Sequence, residues 1–170
     1  MIFISTGSRK FQFDRLIKKV DELVENGIIK DHVFAQIAET SYIPKYIEYK
    51  RYLNPREFSE LQESATLIIT HAGTGALIGA LKKGKQVIAV PRLSKFNEHS
   101  DDHQIQVATA LAKENYLKMV IDIDDLEKVI EELKRKPIKK KYDKPSNVIS
   151  IISNQIDEWF IWYILDNYNL

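Results

Sequence analysis

Residues 66–104 read TLIITHAGTGALIGALKKGKQVIAVPRLSKFNEHSDDHQ. Leu67, Ile68 and Ile69 form an apolar run that breaks at His71-Ala72-Gly73-Thr74-Gly75, and a helical segment over 76–83 follows. Gly84 turns the chain into a second apolar run, 87–90, which Pro91 closes. A polar loop then carries Glu98, His99, Asp101, Asp102, His103 and Gln104 into another helix. Strands that are apolar at every position have no wet face, so they belong in a parallel sheet covered by helices on both sides. Ligands of such sheets bind beyond the carboxyl ends of the strands. Here two strand ends each lead through a loop to a helix start, a place for an anion and a polyhydroxylated group.

The flanking chain continues the alternation. Ile2, Phe3 and Ile4 run into Ser5-Thr6-Gly7-Ser8, a buried first strand opening into a glycine-containing loop. Over 13–25, Leu16, Ile17, Val20, Leu23 and Val24 fall at helical spacing, and Gly27 stops the helix. A second strand is expected over 33–37, a loop over 40–44 and a third strand over 46–52. Pro55 suits a first helical turn, and that helix runs to Ser64. Beyond the central stretch come a helix over 102–113, a last strand over 117–121 and an amphipathic helix over 124–134 behind an Asp-rich start.

This gives an α/β fold, a Rossmann-like parallel sheet with helices on both faces, over 1–134. A basic linker at 135–145, within KRKPIKKKYDK, is expected to be a solvated connector. A C-terminal amphipathic helix at 146–170 completes the chain. Its stripe of Ile152, Ile156, Trp159, Phe160 and Tyr163 is widened by Ile161, Trp162, Ile164 and Leu165. So broad an apolar surface suits packing against two things, the domain itself and a partner chain or lipid.

Composition excludes several classes. With 25 Lys+Arg against 24 Asp+Glu, no global field favours nucleic acid. The absence of cysteine removes disulfides, thiolate metal sites and thiol nucleophiles, and fits a reducing cytoplasm. Met1 to Ile4 is too short for a signal peptide, and no apolar run approaches the roughly 20 residues of a membrane span.

The glycine loops, Thr6-Gly7-Ser8 and Gly73-Thr74-Gly75, let backbone approach a diphosphate. There is no GxxxxGK[ST], which argues against ATP or GTP hydrolysis, and no GxGxxG after the first strand, which argues against NAD or FAD. No cofactor is expected. His71 is placed to donate to phosphate oxygens or to carry partial positive charge beside a leaving diphosphate. His99, Asp101, Asp102 and His103 are read as capping groups and sugar-hydroxyl contacts rather than a metal site. No GxSxG elbow offers a serine nucleophile.

HAGTGALIGALKKGKQVIAVPR followed by NEHSDDHQIQVA resembles the carboxyl-terminal donor-binding domain of glycosyltransferase family 28, which has the GT-B architecture. Thr6, Gly7, Ser8, Phe13, Asp14 and Leu16 resemble the family's first loop and helix, and QIAETSYIP has the family's look. The resemblance is strongest to free-standing members. These are the small subunit of the dolichol-pathway N-acetylglucosaminyltransferase and the second subunit of bacterial two-chain exopolysaccharide glycosyltransferases.

This resemblance implies a UDP-sugar as substrate. Thr6, Gly7 and Ser8, with His71, Ala72, Gly73, Thr74 and Gly75, would cradle the diphosphate, His71 acting catalytically on the departing UDP. Tyr52 and Leu53 would lie beside the uracil. His103 and Gln104 would hold donor-sugar hydroxyls, as two glutamines do in the related peptidoglycan transferase, and Glu98 and Asp101 would shape that loop. Many relatives carry a Ser/Thr and a ribose-holding Glu where this chain has Ala76 and Gly79. The resemblance further implies a two-chain inverting hexosyltransferase, inactive alone. Its partner would be a membrane-anchored chain that presents a lipid-linked sugar, placing this chain in the cytoplasm, peripheral at the membrane. A non-catalytic accessory subunit is the alternative, and a UDP-sugar epimerase a third reading.

Overall fold

The computed structural model describes residues 1–144. Six strands form one parallel sheet: β1 (Ile2–Ser5), β2 (Val33–Gln36), β3 (Glu48–Lys50), β4 (Leu67–Thr70), β5 (Gln86–Ala89) and β6 (Lys118–Met119). Their spatial order is β3-β2-β1-β4-β5-β6. The helices between them are α1 (Asp14–Glu25), α2 (Pro55–Ser64), α3 (Thr74–Lys82), α4 (His103–Lys113) and α5 (Leu126–Arg135).

Alternation along the strands decides which layer each side chain joins. Ile2, Ile4, Leu67, Ile69 and Ile88 face α1 and α5, where they meet Leu16, Ile17, Val20, Ile130 and Leu133. Phe3, Ile68, Val87 and Ala89 point the other way, to Leu77, Ala80 and Leu81 of α3 and Ala108 of α4. Phe58 and Leu61 of α2 complete that layer, with the Phe3 and Phe58 rings edge to face at 5.3 Å. Both faces of the central strands are therefore dry, as their unbroken apolar sequence requires.

The element order agrees with the sequence expectation, and several boundaries differ. The third strand is three residues, all exposed, because β3 is the sheet edge and covers nothing. The last strand pairs only at Lys118 and Met119. The Asp-rich segment forms a short 3-10 turn over Ile123–Asp125, capped by Asp122, before α5 begins at Leu126.

The basic linker keeps its lysines exposed, yet it is tied to the body. Gln86 donates to the Ile138 carbonyl at 3.0 Å and accepts from the Ile138 N–H at 2.8 Å. Tyr142 packs on the Tyr116 ring, and the Lys140 ammonium sits 4.2 Å from that ring's centroid. The expected C-terminal helix lies outside the described residues. Among the described residues, no helix is long and apolar enough to cross a membrane.

Candidate functional site

Growth of the sheet reverses between β1 and β4: β2 and β3 extend it one way, β5 and β6 the other. Loops leaving neighbouring strands at such a point diverge and leave a crevice. Here it is a cleft of about 670 Å³, lined by residues after β1 (Gly7, Ser8, Arg9), after β4 (His71, Gly73, Thr74, Gly75, Ala76) and after β5 (Arg92, His99, His103, Gln104). Tyr52 and Leu53 line it from the β3–α2 connection, Pro55 and Phe58 from the start of α2, and Ser5 and Gln36 from strand ends.

His71 stands where the first two loops meet. Its Nδ1 lies 3.3 Å from the Ser5 carbonyl, which only accepts, so Nδ1 carries the proton and Nε2 the lone pair. Nε2 is directed to the side where Gly7 and Gly73 pass. A Cβ on Gly7 would lie 2.7 Å from Nε2, and one on Gly73 closer still. Burial, and secondarily the Arg92 guanidinium, push the His71 pKa down from 6.5 to about 4. The ring is neutral in the free cleft at pH 7, so the positive charge anticipated from sequence is not resident there.

Arg92 supplies fixed charge instead. It is 1% exposed, lies over the Phe13 ring at 5.6 Å and donates through one terminal nitrogen to the Phe11 carbonyl at 3.0 Å. Burial lowers its pKa to about 10, which leaves it cationic. Its Nε has no hydrogen-bond partner among the described residues. Such an orphaned donor is costly unless a ligand satisfies it. Arg9 adds a second, exposed cation at the same wall.

Two helix starts border the cleft. α3 begins at Thr74 with Gly73 as its cap and no side-chain cap bond, so its first N–H groups are free for an anion. At α4 the N-cap is Asp102, but its carboxylate accepts from the Ser94 N–H at 2.8 Å, while Asp101 accepts from the His103 N–H at 3.0 Å. Capping was expected there, and the neighbouring residue performs it. Asp101 Oδ1 also binds His103 Nδ1, and this contact holds its carboxyl below the usual carboxylate range. Gln104 is buried, its oxygen accepting from the Arg92 N–H at 3.0 Å, which leaves its amide N–H groups as donors. Glu98 is fully buried and held by Arg15 at 2.8 Å and the Leu93 N–H at 3.0 Å, fixing the loop from below.

Of the site residues anticipated from sequence, Gly7, Ser8, Tyr52, Leu53, His71, Gly73, Thr74, Gly75, His103 and Gln104 line this one cleft. Four are not among its lining. Thr6 is buried, its hydroxyl donating to the Gln36 carbonyl at 3.1 Å. Ala72 is buried in the α3 layer. Glu98 holds the loop from below, and the exposed Asp101 caps α4 through the His103 N–H. Sequence reasoning missed Arg9, Gln36, Pro55, Phe58 and Arg92. For Arg92 there was a signal: it follows the proline that ends β5, at a strand's carboxyl end. His99, read from sequence as a capping or sugar-hydroxyl group, is a wall residue of the cleft stacked on Phe11 at 4.9 Å.

The sequence profile of the glycosyltransferase family 28 C-terminal domain matches residues 1–157. The chain belongs to this family. The family 28 chain is 28% identical over 107 residues to the "UDP-N-acetylglucosamine transferase subunit ALG13" of Cryptococcus neoformans, covering 62% of this chain and 50% of that protein. It is 27% identical over 129 residues to the mouse protein of the same name, covering 68% of this chain and 10% of that one. The alignments thus span half or less of these relatives. Among solved structures, the glycotransferase of kitacinnamycin superposes with a TM-score of 0.60 at 19% identity, over 80% of this chain and 35% of that one. At that identity the likeness is one of fold: a Rossmann-like half of a GT-B glycosyltransferase.

Proposed function

We propose that this chain is the donor-binding subunit of a two-chain, inverting glycosyltransferase that moves a hexose from a UDP-sugar to a lipid-linked sugar. The observation that carries the reading is the meeting, in one cleft at the β1/β4 reversal, of two glycine loops, an uncapped helix start and the orphaned Arg92. Family membership and the word "subunit" in the relatives' names support it.

In this reading the diphosphate lies over the α3 start, beside Arg92 and Arg9. Tyr52, Leu53, Pro55 and Phe58 make the flatter, apolar end for the base. The sugar reaches His103 and the free N–H groups of Gln104. An acceptor hydroxyl attacks the sugar C1, its proton passes to a base on the partner chain, and the C1–O bond to the diphosphate breaks. Charge then grows on the leaving UDP, where the α3 dipole and Arg92 oppose it. The neutral His71 turns from bystander to donor by taking a proton onto Nε2 as the dianionic diphosphate arrives. The partner is a membrane-anchored chain that holds the acceptor at the cytoplasmic face. The apolar tail sequence, 146–167, is the segment offered to it.

A second reading has one observation in its favour. No acidic side chain lines the cleft among the described residues, and Gly79 stands where relatives hold ribose with Glu. A non-catalytic accessory chain would look the same. Calorimetry with UDP-GlcNAc and UDP-glucose, on the chain alone and with its co-purified partner, separates the two. Saturable binding weakened about tenfold to a hundredfold by Arg92→Ala is expected for a donor subunit. No binding in either preparation would leave the accessory role.

A further inference from the structure

Down one side of α3 run Gly75, Ala76 and Gly79, three residues with little or no side chain. Gln62 of α2 faces the last of them. A Cβ built on Gly79 would lie 3.6 Å from Gln62 Oε1 and 3.8 Å from Nε2, and outside its own helix would meet nothing else within 4 Å. Gln62 is 4% exposed, and its amide makes no hydrogen bond among the described residues. The polar side chains beside it on α2 are engaged elsewhere: Ser59 with Glu63 and Lys83, and Ser64 with the Leu61 carbonyl. A buried carboxamide without a partner is costly, and a ligand that supplies one removes the cost.

The seam that holds this amide runs up into the cleft. One turn above Gln62 stands Phe58, and one turn above Gly79 stand Gly75 and Ala76; all three line the cleft wall. A Cβ on Gly75 would meet nothing within 4 Å, so the upper part of the seam is open. To one side lies the uncapped start of α3, and to the other lie Tyr52, Leu53, Pro55 and Phe58. In the donor-binding reading these are the diphosphate end and the base end. Ribose is the part of a nucleotide that joins those ends, so it passes over the seam. A carboxamide offers one acceptor oxygen and two N–H donors, the complement of two adjacent hydroxyls.

We infer that Gln62 reads the ribose: its amide hydrogen-bonds the diol, the 2′-hydroxyl included, and so selects ribonucleoside diphosphate sugars over their 2′-deoxy counterparts. This inference rests on the donor-binding reading and deepens it. Gly79 is what admits the contact, because a long side chain there would fill the space in front of the amide. Gln62 carries no charge, so it answers hydroxyls, while Arg92 and the α3 start answer the diphosphate. The two tasks are separable by mutation.

The test is calorimetric titration with UDP and with 2′-deoxy-UDP, on the full chain alone and with its co-purified partner. The parent chain is expected to prefer UDP by about tenfold. Gln62→Met keeps the length and packing of the side chain and should bind both nucleotides equally, with the fold verified by thermal melting. Arg92→Ala should weaken both alike and keep the preference. Equal affinities in the parent chain overturn the inference without a variant, and so does a preference that survives Gln62→Met; either result leaves donor binding standing. Absence of UDP binding in both preparations removes the donor-binding reading and this inference with it.

Discussion

The His71 imidazole occupies the space that a side chain at Gly7 would need, with a Gly7 Cβ falling 2.7 Å from Nε2. Gly73 closes on the ring from the other loop. The two glycine loops of the sequence are thus one object, clasped about a histidine. Gly7 also has φ +86, so its replacement mixes strain with collision, whereas Gly73 has ordinary backbone and isolates the collision. Gly73→Ala is expected to cost about 1–3 kcal/mol in urea unfolding. Adding His71→Ala should recover much of that loss, a non-additivity the double-mutant cycle reads directly.

Gly75 tells the opposite story. A Cβ there meets nothing within 4 Å, and the residue lies in the first turn of α3. Alanine removes backbone freedom from the unfolded chain, so Gly75→Ala should leave stability unchanged or raise it by up to about 1 kcal/mol. If a diphosphate rests on that helix start, the added methyl intrudes on it. Melting temperature maintained while UDP-sugar affinity falls is the expected pair of results; unchanged affinity would move the ligand away from α3.

His71 also makes stability depend on pH. The unfolded ring titrates at 6.5 and the native ring at about 4. Above pH 6.5 both states are neutral and nothing is lost. As pH falls from 6.5 to about 4 the unfolded chain takes up a proton that the native chain refuses, and stability declines by up to about 3 kcal/mol. Urea midpoints measured across that window should fall less steeply in His71→Gln than in the parent chain.

Donor binding should carry the reverse dependence. A diphosphate beside Nε2 raises the histidine pKa, so the complex holds a proton that the free cleft lacks. UDP-sugar affinity is expected to increase as pH drops toward 5. The binding heat should differ between buffers of different ionisation enthalpy, and a heat independent of buffer would remove His71 from the diphosphate.

Glu98 is fully buried and answers to Arg15, whose side chain is 15% exposed. This pair ties α1 to the loop that brings His99, His103 and Gln104 to the cleft. Arg15→Ala strands the carboxylate and should destabilise by about 3 kcal/mol. Arg15→Lys keeps a charge without the two-pronged contact and should fall between, as read by thermal melting.

Unbroken apolar runs at 67–69 and 87–90, each followed by a turn and a helix, were enough to read a parallel sheet with two covered faces. Glycines, a proline and the HAGTG and NEHSDDHQ loops were enough to name the family and most of the cleft wall. Periodicity is a local signal, and a covered strand announces itself in its own residues. The extent of β3 was not legible, since an edge strand has no burial to advertise. Nor was Arg92: its neighbours Phe11, Phe13 and His71 lie far from it in sequence.

What the chain settled by itself was therefore the order and type of its elements and which loops end at the carboxyl edge of the sheet. Only the tertiary structure decided that His71 is neutral, that Arg92 is buried with an unanswered donor, and that Asp101 joins His99 and His103 in one hydrogen-bonded cluster. Charge state and hydrogen bonding depend on dielectric and on distances of a few ångströms between distant segments, and no linear pattern of residues encodes those before the sheet reverses at β1 and β4 and draws the loops together.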